Sequence, residues 1–189
     1  MSAPQLKPIF LGGLLGVSLV LGGCSENATE PEASPTSSTV DGTIAGALND
    51  IPNMATLSGM VSSAELGSVF DGPGSYTVLA PNDAAFAALG EQGAGLTDAE
   101  QRPVLTGLLR EHILPGQLTT ENIAQAINAK GGPVTVTTVG GSDVTFSDNG
   151  GTITVDNGQG ATATLTGKAV IAQNGTIIAL DKVLVPGES

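Results

Sequence analysis

Tyr76-Thr77-Val78-Leu79-Ala80-Pro81-Asn82-Asp83-Ala84-Ala85-Phe86 changes its character halfway along. Tyr76 to Leu79 reads as a strand of β-branched and apolar residues. Pro81-Asn82-Asp83 then opens a helix that buries Phe86 and Leu89, with proline and a short polar side chain where a helix begins. Upstream, Ile44, Ala47 and Leu48 fall on one face at helical spacing, and Met54, Leu57, Met60, Val61 and Ala64 repeat it. Downstream, Thr97-Asp98-Ala99-Glu100 has the form of a capping box. The helix behind it carries Val104, Leu105, Leu108 and Leu109 and is expected to end near Pro115-Gly116. Thr119 or Thr120 caps a further helix reaching about Asn128. After Gly131-Gly132-Pro133 the period becomes two: Val134-Thr-Val136-Thr, Val144-Thr-Phe146, Ile153-Thr-Val155 and Ala161-Thr-Ala-Thr-Leu165 alternate apolar with polar. Asn149-Gly150, Asn157-Gly158 and Asn174-Gly175 are expected to supply turns with positive φ. Helices first and an antiparallel sheet afterwards make an α+β chain.

The chain has 189 residues, enough for one domain, and a formal charge of −12. Lys7 is the one basic side chain before residue 24, so the 166 residues from Cys24 onward carry five basic and 18 acidic groups, a balance of −13. Such a surface repels phosphate backbones, which excludes a nucleic-acid partner. It also repels anionic headgroups, so membrane attachment needs a hydrophobic or covalent anchor. A single Cys leaves no internal disulfide and no multi-Cys zinc site, and a single His leaves no multi-histidine metal site.

An anchor is legible at the N-terminus. Lys7 precedes an uncharged apolar run from Ile9 to Leu21, shorter than the ~20 residues that span a bilayer and suited to the h-region of a signal peptide. The run ends in Leu21-Gly22-Gly23-Cys24, which resembles a bacterial lipobox. That resemblance implies a signal peptide over 1–23 and acylation of Cys24, palmitate included. Ser25 lacks the carboxylate that marks inner-membrane retention at the second mature position, so the expected address in a Gram-negative cell is the outer membrane, facing periplasm or cell surface. Residues 24–39 have no large apolar side chain and read as a flexible acidic tether. The domain is expected over 40–187.

The motifs that announce chemistry are missing or incomplete. His112 is the sole imidazole, and no Gly-x-Ser-x-Gly elbow accompanies it; Asp83 is a candidate neighbour without a marked serine. Asp148-Asn149-Gly150 and Asp156-Asn157-Gly158 suggest calcium loops, but Gln159 stands where the closing Glu belongs, and hairpin turns explain both better. Without Trp, and with Phe70, Tyr76, Phe86 and Phe146 all at core positions, an aromatic sugar platform is not expected.

Three blocks together resemble the fasciclin domain family: Tyr76 to Phe86; Leu108-Leu-Arg-Glu-His112-Ile-Leu-Pro115-Gly116; and Asn174-Gly175-Thr-Ile-Ile-Ala-Leu-Asp-Lys-Val-Leu-Val-Pro186. The resemblance implies a wedge of two β-sheets with helices packed at one side. It implies a non-enzymatic, cofactor-free adhesion or protein-binding module. Asn82, Asp83, His112, Pro115, Gly116, Asn174 and Gly175 are then residues of the structural motif. His112 has two readings, a binding or catalytic residue or a partly buried imidazole bonded to Asp83 or to backbone at the helix end, and its place between apolar Leu109 and Ile113 favours the second. Glu111 stands where the family carries Tyr, and Ala169-Val170 stands where integrin-binding members carry Asp-Ile, so no particular partner carries over. The expectation is a monomeric, lipid-anchored cell-envelope protein that binds a protein or matrix component bearing a basic patch. Residues 81–89 and the Pro115-Gly116 turn are its expected contact region. The alternative is an envelope protein that binds a small molecule or glycan in a pocket between the sheets.

Overall fold

The computed structural model describes residues 37–96 and 98–185. The expected signal peptide, Cys24, most of the expected tether, Thr97 of the expected capping box and Pro186 lie outside them. Strand β1 (Ser38–Thr39) leads into helices α1 (Ile44–Asp50), α2 (Ala55–Ser63) and α3 (Gly67–Phe70). Strand β2 (Tyr76–Pro81) enters α4 (Asp83–Ala87), followed by α5 (Glu91–Gly95), a 3₁₀ turn (Ala99–Gln101) and α6 (Arg102–Glu111). Then come β3 (Ile113–Pro115), α7 (Thr120–Lys130), β4 (Val134–Thr137), β5 (Asp143–Asp148), β6 (Ile153–Asp156), β7 (Thr162–Ala172) and β8 (Gly175–Leu180). The hairpin strands fall where the period-two pattern puts them.

The strand path is β3-β2-β8-β7-β6-β5-β4, with β1 added beside β7. The long strand β7 belongs to both sheets of the wedge: its start pairs with β6, its remainder with β8, and the register slips between Thr166 and Val170. That bulge turns one sheet into the other. The two ends of the path approach each other where Val139 donates its N–H to the carbonyl of Ile113 at 2.8 Å.

Two apolar clusters lie on opposite faces of the β3-β2-β8 sheet. Val78 and Ile177 face the first cluster, together with Ile44, Leu48, Leu57, Met60, Phe70, Phe86 and Leu105 from the helices. Leu79, Leu114, Ile178 and Leu180 face the second, which fills the wedge with Val144, Phe146 and Val155. Helix α7 packs apart from the other helices and closes this second core with Ile123 and Ile127. Its start is a full capping box: Thr119 accepts the Asn122 N–H and the Asn122 side chain accepts the Thr119 N–H at 3.1 Å.

Four local readings differ from expectation. The wholly antiparallel sheet is not found: β2–β8 and β1–β7 are parallel pairs. Parallel strands buried on both faces lose the alternation that reveals sheets, which is why Ile177-Ile178-Ala179-Leu180 reads as a plain apolar run. Helix α6 ends at Glu111, not near Pro115-Gly116, because residues 113–115 supply the edge partner of β2; Val104 stays exposed on the outer face of α6. Ser38 and Thr39, expected within the tether, pair with Val170 and Ile171 through backbone groups that composition does not reveal. Gly175 is the fourth and belongs to the site.

Candidate functional site

Strand β2 lies between β3 and β8, so the three sequence blocks meet on adjacent strands: Tyr76 opposes Pro115 on one side and Gly175 on the other. The polar residues of this junction are spent on holding backbone. Thr77, fully buried, donates its hydroxyl to the Gly116 carbonyl at 2.7 Å and accepts the Leu118 N–H at 2.8 Å, fixing the turn after β3. Gly116 also donates its N–H to the Ser75 carbonyl at 2.9 Å. Asn82 caps α4 by accepting the Ala85 N–H at 2.8 Å, and its own N–H reaches the Leu180 carbonyl. Asp83 accepts the Thr56 N–H at 2.8 Å, and that backbone bond is the chief cause of its lowered pKa.

His112 is 2% exposed. Its Nδ1–H donates to the Leu108 carbonyl at 2.8 Å, and its Nε2 accepts the Leu184 N–H at 3.0 Å. This arrangement fixes the neutral Nδ1–H tautomer and ties the end of α6 to the segment after β8. Burial pushes the imidazole pKa down, against smaller opposing pulls from the Leu108 carbonyl and the charge of Glu111. The expected choice between Asp83 and backbone therefore falls to backbone, and Asp83 and His112 do not bond to each other. With both nitrogens held by main chain, His112 has no free position for a proton transfer.

Asn174 does more than turn a hairpin. Its Oδ1 accepts the Ile44 N–H at 2.8 Å, and its Nδ2 donates to the carbonyls of Phe70 and Gly72, joining α1 and α3 to the β7–β8 turn. Gly175 is not a positive-φ residue, unlike Gly150 and Gly158. A Cβ there would lie well inside van der Waals contact with the Tyr76 carbonyl oxygen and with Cδ1 of Ile44. Close backbone approach, not turn geometry, requires this glycine. Sequence reasoning missed the role of Thr77. Its signal is a threonine inside an otherwise apolar strand.

Among the described residues, apolar side chains fill the wedge interior. Leu79, Leu114, Phe146, Val155 and Leu180 are fully buried there, and beside Leu184, Val144 and Glu111 an opening of about 20 Å³ remains, room for about one water. The Glu111 carboxylate accepts the Thr138 hydroxyl at 2.7 Å and packs against Gly140, pinning the β4–β5 turn to the end of α6. The aspartates of the two suspected calcium loops are taken by their own turns: Asp148 accepts the Gly151 N–H and Asp156 the Gly158 N–H. Among the described residues no three His, Cys, Asp or Glu side chains converge as a metal group.

The surface is acidic. Residues 37–185 hold 14 carboxylates and five basic side chains, and one ion pair is formed among them, Arg102 with Glu65 at 3.1 Å between exposed groups. The expected contact region does not form one patch. Pro115 sits at the start of β2 and α4 at its end, about 17 Å apart at ~3.3 Å per residue.

A fasciclin domain model matches residues 52–186, and the chain belongs to the fasciclin domain family. It is 32% identical over 133 residues to a Synechocystis protein named uncharacterized protein sll1735, covering 70% of this chain and 90% of that one. It is 29% identical over 133 residues to the Sus scrofa transforming growth factor-beta-induced protein ig-h3, covering 69% of this chain but 17% of the pig protein. Among solved structures it resembles a FAS1 domain pair from the insect cell adhesion molecule Fasciclin I, with a TM-score of 0.67 and 16% identity, over 76% of this chain and 51% of the pair. That likeness establishes the fold: an α+β wedge of the fasciclin type.

Proposed function

We propose that this chain is a lipid-anchored protein of the cell envelope that works as a non-enzymatic adhesion or protein-binding module. The observation that carries the reading is the filled wedge. With Phe146 and its neighbours occupying the space between the sheets, and His112 bonded at both nitrogens, recognition is left to the outer surface. The solved neighbour is part of an insect cell adhesion molecule, which supports that reading. The excess of exposed carboxylates favours a protein or matrix partner with a basic patch, since complementary fields speed encounter and like fields suppress wrong partners. The alternative, a small-molecule or glycan site between the sheets, requires a pocket where this chain has side chains.

The anchor is tested by Cys24→Ser. The expected outcome is transfer from the detergent-extracted membrane fraction to the soluble fraction, with thermal melting unchanged. Partitioning that stays the same in the variant would overturn the anchor. Cross-linking in intact cells is expected to capture a protein adduct on the native chain; recovery of the monomer alone would overturn the partner reading.

A further inference from the structure

Asn-Gly occurs at 149–150, 157–158 and 174–175, and the fold treats the three differently. In this dipeptide the glycine nitrogen can reach the asparagine side-chain carbonyl, because glycine brings no Cβ to obstruct the approach. Two of the three are locked. Asn174 is half-buried, and its carboxamide bonds the Ile44 N–H and the carbonyls of Phe70 and Gly72. Gly175 behind it is enclosed by the Tyr76 carbonyl and Ile44, so that peptide has no room to rotate. Asn157 is also half-buried: its Oδ1 accepts the N–H groups of Gln159 at 2.9 Å and Ala161 at 3.0 Å, and its Nδ2 donates to the Val185 carbonyl at 3.2 Å. The Gly158 N–H is itself taken by Asp156 at 2.7 Å.

Asn149 is exposed and loosely held. Its side chain makes one bond, from Nδ2 to the Thr154 hydroxyl at 3.0 Å in an exposed pair. Its Oδ1 and the Gly150 N–H have no partner among the described residues. Gly150 and Gly151 have φ of +70 and +91, and a Cβ at either would meet nothing within 4 Å, so the turn has space to rearrange. We propose that Asn149 is a self-modification site, where the chain converts its own asparagine to aspartate and isoaspartate with water as the sole reactant. The Gly150 nitrogen attacks Cγ of Asn149 and a C–N bond forms. The Cγ–Nδ2 bond breaks, and Nδ2 leaves as ammonia with the proton given up by the Gly150 amide. Water then opens the cyclic imide at Cγ, giving aspartate, or at the main-chain carbonyl, giving isoaspartate.

Either product sets a new carboxylate beside Asp148 and removes the Nδ2 donor from Thr154. Isoaspartate also carries the main chain through Cγ, adding a backbone atom to a turn that Asn149 closes by donating its N–H to the Thr152 carbonyl at 2.9 Å. That turn holds the end of the β5–β6 pair at Asp148 and Ile153, and Ile153 packs in the wedge core. The conversion accumulates with the age of the molecule, so the acidic surface gains charge at this turn over time. The proposal goes beyond the functional reading above and needs neither lipid nor partner, so its failure and the failure of that reading are separate results.

The test is peptide mapping by mass spectrometry on the purified full chain, incubated in mildly alkaline buffer with and without urea. It reads the mass gained when an amide NH₂ becomes OH, and chromatography separates aspartate from isoaspartate. In the folded chain Asn149 is expected to convert at least about tenfold faster than Asn157 or Asn174, each of which must first lose three side-chain hydrogen bonds. In urea those bonds are gone and the three rates are expected to converge. Conversion of Asn149 no faster than that of either other asparagine in the folded chain would overturn the proposal. Selectivity for Asn149 that persists in urea would assign the rate to sequence and not to the fold, and would overturn it too. Aspartate without isoaspartate at 149 would mean direct hydrolysis without an imide, with the same consequence.

Discussion

The junction of β3, β2 and β8 and the meander of β4, β5 and β6 are built on opposite plans. In the junction, buried or half-buried polar groups bond main chain far away in sequence: His112 to Leu184, Asn174 to Ile44 and Phe70, Thr77 to Gly116. In the meander, side chains bond near neighbours: Thr137 with Asp143, Asp148 with Gly151, Asp156 with Gly158. A long-range staple needs one residue type at one position, because a partner left unpaired in the interior costs the full desolvation of that group. A local turn needs only a pattern, and another turn-forming residue restores most of it. Substitutions should therefore be severe in the junction and mild in the meander.

Gly175→Ala should have the largest effect. The added methyl meets the Tyr76 carbonyl in the neighbouring strand, and a backbone oxygen in a paired sheet has nowhere to withdraw. The expected loss is about 3 kcal/mol or more, the upper end for overpacking, read as a lower urea midpoint at unchanged m-value. A loss under about 1 kcal/mol would show that β2 and β8 can slide apart, and the contrast between the two regions would weaken.

His112 gives a smaller effect with a pH signature. His112→Ala leaves the Leu184 N–H and Leu108 carbonyl without their partner and should cost about 1–3 kcal/mol. The folded imidazole has a lowered pKa because it is buried, whereas the unfolded one takes a proton near pH 6.5. Below that pH the unfolded state binds the extra proton, so the native chain loses stability as pH falls from 7 towards 5. Asp83, whose pKa is lowered chiefly by the Thr56 N–H, contributes stability that is lost in more acidic solution, below about pH 4. His112→Phe cannot titrate, so its stability difference from the native chain should shift in its own favour as pH falls through 6.5. Parallel pH profiles for the two would mean the imidazole protonates freely in the fold.

The same contrast decides what the sequence reveals. Meander strands announce themselves, since Val134, Val136, Val144 and Phe146 alternate with threonine and serine and each turn carries its glycine. The junction shows its residues but not their work. Asn174-Gly175 has the letters of a hairpin turn, and nothing in the chain says that the asparagine reaches Phe70 or that the glycine makes room for Tyr76. The pairing of β2 with β8, and of Ser38-Thr39 with β7, joins segments about a hundred residues or more apart, beyond any periodicity. His112 was legible as buried from its apolar neighbours Leu109 and Ile113. Its partner at Leu184 was not, because that contact exists only after β8 is in place.

Gly158→Ala, in the turn between β6 and β7, should be the mildest of the three. Gly158 has φ +69, and a Cβ there meets nothing within 4 Å. The penalty is then the left-handed backbone alone, roughly 1 kcal/mol for an L-residue. Asp156 still accepts the amide of residue 158, and Asn157 still accepts the amides of Gln159 and Ala161, so the turn keeps its bonds. Gly158→Asn should recover part of the loss, because asparagine tolerates that conformation better than alanine. At Gly175 the same asparagine should be at least as damaging as alanine, since the obstacle there is the Tyr76 carbonyl and not φ. Urea midpoints for the four variants separate the two causes: recovery by asparagine at 158 without recovery at 175 sustains the contrast, and equal responses at both positions would end it.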